Sequence, residues 1–194
     1  MAIDAKTLLA EFASLRPQGG FGLIYCDPPW AFENWSAAGA AKGANAHYAC
    51  ESLADLQRMP VSALAARNAA LAMWATFPML PEALALMAAW GATYKTGGAW
   101  AKKTSTGKKI AFGTGYIFRS AAEVLLIGTW GEPKPLNHST RNLWLSQVRE
   151  HSRKPDDVRA DLARLFCGPR IELFARQASE GWAVWGNEVG KFAP

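Results

Sequence analysis

The stretch "FGLIYCDPPWAFENWS", residues 21–36, decides the reading of this chain. A short apolar run, 21–26, follows Gly19 and Gly20 and ends in Asp27, Pro28, Pro29 and Trp30. Such a run bounded by turn residues reads as a buried strand. The two prolines cannot donate to a strand ladder, hold φ near about −65°, and force extended geometry on the residue before each. A carboxylate and the carbonyls after it are therefore set rigidly at a strand end.

Further strands are expected at 70–77, 122–128, 170–175 and 182–186, and helices at 52–68, 81–90 and 156–166. Ser52 stands before the first helix, Pro81 lies in the first turn of the second, and Pro155 precedes the acids Asp156 and Asp157 of the third. These are helix-start signals. Near-continuous apolar strands alternating with helices predict an α/β sandwich on a mostly parallel sheet. In such sheets ligands bind beyond the carboxyl ends of the strands, where the Asp-Pro-Pro-Trp tetrapeptide stands.

A carboxylate and a fixed carbonyl side by side can accept both hydrogens of an exocyclic amine. An aromatic ring three residues on can stack against the planar base that bears it. The amino nitrogen of adenine is a poor nucleophile because its lone pair is delocalised, and two acceptors favour the tetrahedral form that attacks. Orientation and electrostatics then suffice for catalysis. A base reaching such a pocket must leave its stack. A bare Asp-Pro turn is the plain alternative, but the full tetrapeptide directly after an apolar strand is far rarer.

Composition agrees with a folded protein: 194 residues suit one domain over 1–194, half of them hydrophobic and 19% charged. No apolar run reaches the roughly 18 residues of a membrane span, and the first residues show no basic segment before an apolar one. Leu8, Leu9, Phe12 and Leu15 fall instead at helical spacing. Three scattered cysteines, Cys26, Cys50 and Cys167, fit a reducing cytoplasm, and no metal is assigned. The net charge of +5 is local: residues 95–122 hold six of the 21 basic residues and none of the 16 acidic ones. Gly, Ser and Thr among those lysines predict a mobile basic loop near 96–118, either a solvated charge run or a clamp on a phosphate backbone. A dinucleotide site at "GTGY", 113–116, is disfavoured, since no third glycine follows and the next element reads as a strand.

Several segments together resemble the MT-A-seventy family of S-adenosylmethionine-dependent adenine-N6 methyltransferases: "YCDPPWAFENWS", "AHYACESLADLQRMPV", "GTGYIFRSAAEVLLIGTWG", "REHSRKPDDV" and "RIELFARQASEGWAVWGNEV". They span nearly the whole chain from about residue 20. The resemblance implies a Rossmann-like methyltransferase sandwich with circularly permuted motif order, the catalytic motif early and the cofactor strand late. It implies Asp27, Pro28, Pro29 and Trp30 as catalytic residues. Cys26, Asp27, Lys154, Phe174, Arg176, Asn187 and Glu188 become the S-adenosylmethionine-binding set, although strand alternation points Cys26 away from Asp27. Tyr116, Arg119 and Glu123 are expected at the target base with Trp30, and Lys102, Lys103, Lys108 and Lys109 on nucleic acid. Phe174 as core, Arg176 as a solvated strand end and Lys154 as a local cap stay open as alternatives. The expected substrate is DNA adenine in a short bacterial or phage version, with RNA or a catalytically silent subunit as alternatives. A second copy or a partner subunit stays open, and the expected location is the cytoplasm.

Overall fold

A computed structural model describes residues 5–30, 52–115, 117–150 and 153–191. Its seven strands are β1 (Phe21–Cys26), β2 (Ala65–Ala75), β3 (Thr93–Lys103), β4 (Ala122–Trp130), β5 (Leu143–Gln147), β6 (Arg170–Leu173) and β7 (Ala183–Trp185). They form one sheet in the order β5-β3-β4-β2-β1-β6-β7. Only β4 runs antiparallel to its neighbours β2 and β3, and the other pairings are parallel. The mostly parallel Rossmann-like sandwich expected from the sequence is borne out. The late strand β6 pairs directly with the early strand β1.

Among the described residues four α-helices cover the sheet: α1 (Ala5–Leu15), α2 (Leu53–Arg58), α3 (Leu80–Ala89) and α4 (Asp156–Leu165). Alternation along β1 sends Ile24 and Cys26 to one face and Leu23 and Tyr25 to the other. The first face packs against Phe12 of α1, Leu56 of α2 and Leu86 of α3, and the second against Val158 and Leu162 of α4. Burial on both faces explains why 21–26 reads as a continuous apolar run. Leu8 and Phe12 of α1 are buried as their spacing predicts, while Leu9 faces solvent. No described helix is long and apolar enough to cross a membrane.

Two expectations need correction. The helix at 52–68 stops at Arg58: Ser52 caps it by accepting the Asp55 amide at 3.1 Å, but Pro60 ends it. A 3-10 turn at Val61–Ala63 follows, and β2 begins at Ala65, so residues 65–68 belong to the strand expected at 70–77, whose residues 69–75 are buried in the sheet. Strand β5 carried no signal that the sequence reading used. The basic segment near 96–118 is a strand up to Lys103, and glycine misled there. A Cβ on Gly98 would lie 2.6 Å from the Trp144 ring and 2.8 Å from the Asn142 carbonyl, so this glycine serves close packing rather than freedom. Beyond Lys103 the chain makes a hydrogen-bonded excursion. The Thr104 amide donates to Lys109 O, Ala111 to Lys102 O and Gly113 to Ser120 O.

Candidate active site

Because six strands share one direction, their carboxyl ends lie along one edge of the sheet, and β4 begins there. Asp27 follows β1 and continues the alternation that places Tyr25 on the α4 face. On β4, Glu123 stands opposite Trp100 of β3, whose ring is buried on that same face. Lys102 lies two residues beyond Trp100, and Lys154 comes just before α4.

These side chains form one chain of charge. Lys154 Nζ donates to Asp27 Oδ2 at 2.7 Å and lies 3.1 Å from Glu123 Oε2. Lys102 Nζ meets Glu123 Oε1 at 2.5 Å, and Arg176 donates to the same Asp27 Oδ2 at 2.8 Å. Indole rings lie beneath the cations: Lys154 Nζ is 5.8 Å from the Trp74 ring centroid, and Lys102 Nζ 5.1 Å from that of Trp100. The Trp74 indole N–H donates to Tyr25 Oη at 2.6 Å, and burial pushes that phenol well up.

Burial alone would raise the Glu123 carboxyl, but Lys154 and Lys102 outweigh it and hold it at about 2. Burial likewise works against the Lys154 ammonium, and Asp27 and Glu123 overcome it, so its pKa is raised. Asp27 is thus tethered by one oxygen to two cations that arrive from distant parts of the chain.

A cleft beside Asp27 is lined by Tyr25, Lys154, Arg159, Glu172, Phe174 and Gln177, among others. Its wall turns at Phe174, the one non-glycine residue with positive φ among the described residues, at +58°. That conformation costs a non-glycine residue on the order of 1 kcal/mol or more. It is held by the Phe174 ring packed edge-on to Trp185, centroids 5.7 Å apart, and by the Ala175 amide donating to Trp185 O at 3.0 Å. Two residues later Arg176 reaches Asp27.

Other expected residues are placed differently. Trp30 is buried in the core, its indole donating to Trp74 O at 3.3 Å, and so does not offer an open stacking face. An indole N–H taken out of water needs an acceptor, and that carbonyl supplies it. The Pro28 carbonyl accepts the Trp30 amide at 2.9 Å, so one of the acceptors expected to be unclaimed is partly used. Cys26 is fully buried on the face opposite the cleft, and burial raises its thiol pKa, so its side chain does not line the cleft. Lys102 belongs to the ion chain, not to the surface charge run. Lys103 ends β3 and is half-buried, while Lys108, Lys109 and Arg119 stand out on the excursion, where Arg119 lies over the Phe112 ring at 5.4 Å. Asn187 and Glu188 form the turn after β7, outside the lining of the cleft; Glu188 accepts from Lys191 at 2.6 Å. Tyr116 lies outside the described residues.

Sequence reading missed the pair behind the cleft. Arg159 of α4 donates to Glu172 of β6 at 2.8 Å and to Ser179 at 2.6 Å, and it meets Asp156 at 2.6 Å. Burial raises the Glu172 carboxyl against the pull of Arg159. A lone acid inside the apolar run "RIELFA" was the one signal for it.

The MT-A70 family profile matches residues 21–188, which contain every element of this site. The chain belongs to the MT-A70 family. Among its relatives is the type II methyltransferase M.MunI of a Mycoplasma species, 28% identical over 93% of this chain and 83% of that protein. The N6-methyladenosine RNA methyltransferase MTA1 of Cryphonectria parasitica is 32% identical over 94% of this chain and 55% of its own length. The mouse N(6)-adenine-specific methyltransferase METTL4 is 30% identical over 97% and 42% respectively. This MT-A70 domain therefore spans about half of the last two relatives and most of the first.

Proposed function

We propose that this MT-A70 chain methylates the exocyclic N6 amine of adenine in DNA, using S-adenosylmethionine. The observation that carries the reading is Asp27 at the carboxyl end of β1, one oxygen held by both Lys154 and Arg176 beside the cleft that Phe174 walls.

The residues present fit the cofactor. Gln177 lines the cleft, and its Oε1 is a buried acceptor without a hydrogen-bond partner in the described structure. Such an orphan acceptor suits an ammonium or hydroxyl of a ligand. Asp27, Gln177 and Phe174 would hold the cofactor, and Asn187 and Glu188 would serve its adenosine end. When bound, S-adenosylmethionine supplies an electrophilic methyl group on a positive sulfur.

The protein's own work is orientation. Oδ2 of Asp27 is occupied by two cations, so the carboxylate cannot swing, and Oδ1 is the oxygen suited to accept an N–H of the amine. The Pro28 carbonyl, fixed by its contact to the Trp30 amide, retains a second lone pair for the other N–H. Accepting both hydrogens localises the nitrogen lone pair for attack. As the methyl moves from sulfur to nitrogen, the S–C bond would break to leave a neutral thioether, and the amine would give up one proton to Asp27 Oδ1 and from there to solvent. Glu123 is held ionised by two lysines and keeps the Lys154 ammonium fixed beside Asp27.

DNA is favoured because the chain matches the type II methyltransferase over most of that protein's length. RNA is the second reading, supported by the 32% identity to the RNA methyltransferase MTA1. The test is mass spectrometry of nucleosides after incubation with cofactor and duplex DNA, single-stranded DNA or RNA. We expect N6-methyladenine from DNA, and a loss of at least about 10²–10³-fold with Asp27→Ala. Product from RNA alone would move the substrate to RNA, and an Asp27→Ala variant of full activity would refute the mechanism.

A further inference from the structure

The excursion between β3 and β4 carries an apolar set that the methyl-transfer site does not use. Phe112 is 80% exposed, Ile117 78% and Phe118 85%. Large apolar side chains held this far out in water are costly to display and mark a contact surface. They are displayed on a braced support. The Gly113 amide donates to Ser120 O at 3.0 Å and the Ser120 amide to Thr114 O at 3.3 Å. A Cβ on Gly115 would lie 1.9 Å from Phe118 O, so the tip holding Ile117 and Phe118 closes too tightly for any other residue there. The feet of the excursion flank the ion chain: Lys102 carries the ammonium on Glu123, and its amide donates to Ala121 O at 2.8 Å.

Charge selects the occupant. The same segment carries Lys103, Lys108, Lys109 and Arg119, the last over the Phe112 ring, and residues 95–122 contain no acid. A cationic surface with apolar side chains at its tip complements a phosphate backbone whose interior is stacked bases. Phe and Ile are among the side chains that enter base steps as wedges, and extruding a base opens such a step. Resting on the proposed DNA reading, we propose that Phe112, Ile117 and Phe118 form a wedge. It enters the double helix next to the target base and holds open the step that the base leaves, while the surrounding cations grip the phosphates. Arg119, stacked on the Phe112 ring, ties the two functions together.

A wedge unwinds DNA, and unwinding can be read without knowing a recognition sequence. Closed circular plasmid is relaxed by topoisomerase I in the presence of the protein, stripped, and resolved by gel electrophoresis. Wild-type protein should lower the linking number in proportion to the protein bound. A Phe112→Ser/Ile117→Ser/Phe118→Ser variant should lose most of that shift at equal bound fraction, with unchanged melting temperature and cofactor affinity, and Phe118→Trp should keep it. Methyl transfer by the triple variant should fall at least tenfold on duplex DNA and much less on single strands, which have no stack to open. Equal unwinding by the triple variant overturns the wedge. So does a wild-type protein that methylates DNA without unwinding it, which leaves the proposed activity standing. If the substitutions instead convert a dimer to a monomer in sedimentation without changing unwinding, the patch docks a second copy and the wedge is also overturned. Absence of methylated adenine from every polymer would count against the enzymatic reading itself, independently of the linking number.

Discussion

Lys154 lies 127 residues after Asp27 in the chain, yet its ammonium sits 2.7 Å from the Asp27 carboxylate. The same ammonium is 3.1 Å from Glu123, so one lysine joins β1, β4 and the entrance of α4. Lys154→Met should keep the fold, because the long apolar side chain still covers Trp74. It should reduce methyl transfer by about 10²-fold or more through loss of a preorganised charge. Single-turnover rates on plasmid DNA check this, and a loss confined to KM would show that Lys154 only assists binding.

Glu123 gives a pH signature. Its folded pKa of about 2 lies below the ordinary 4.5, so its ionised form stabilises the fold. That stabilisation is fully present above about 4.5 and is lost as pH falls through about 2; two to three pKa units correspond to roughly 3 kcal/mol. Urea unfolding of Glu123→Gln should show a deficit of that order at pH 7. The deficit should shrink between pH 4.5 and 2. A gap that does not change with pH would mean that packing, not charge, sets the role of Glu123.

Behind the cleft, Arg159→Leu should strand Glu172, which is largely buried and already raised by that burial. Removing one member of such a pair costs on the order of 3 kcal/mol. The double variant Arg159→Leu/Glu172→Gln should recover much of this. Denaturant midpoints of the two single variants and the double variant test the coupling.

The turn after β7 is a packing constraint. A Cβ on Gly186 would meet Ala175 N at 2.7 Å and Phe174 C at 2.9 Å, so Gly186→Ala must push the cleft wall away. We expect a stability loss of about 1–3 kcal/mol and weaker S-adenosylmethionine binding by calorimetry. Gly181→Ala meets nothing within 4 Å and should leave cofactor affinity unchanged, though its φ of +74° strains the backbone.

Lys103, Lys108 and Lys109 replaced by Gln should flatten the salt dependence of duplex binding by roughly 0.9 in slope for each phosphate no longer neutralised. Lys102→Gln should instead leave that slope alone and slow methyl transfer, because its ammonium is held by Glu123. A wild-type salt slope in the triple variant would place the phosphate footprint elsewhere.

Local pattern determined the central strand, the carboxylate at its end, the α4 entrance at Pro155 and the α/β class. Each depends on residues close in sequence: an apolar run, a proline after a strand, acids in a first helical turn. Tertiary structure decided the rest. Gly98 reads as a loop residue until the Trp144 ring is seen against it, and Ala65 and Ala66 read as the end of a helix until β1 claims their segment as sheet. Lys102 and Lys103 are adjacent and chemically identical, but strand alternation sends Lys102 onto Glu123 and keeps its neighbour out of that ion chain. Trp30 was legible as an aromatic at the site and not as a core residue, since only the Trp74 carbonyl, 44 residues away, satisfies its indole. A sequence names the groups that can bear charge or donate a hydrogen bond. Which partner each one meets is settled by burial, because only in the folded interior does leaving a group unpaired cost enough to choose.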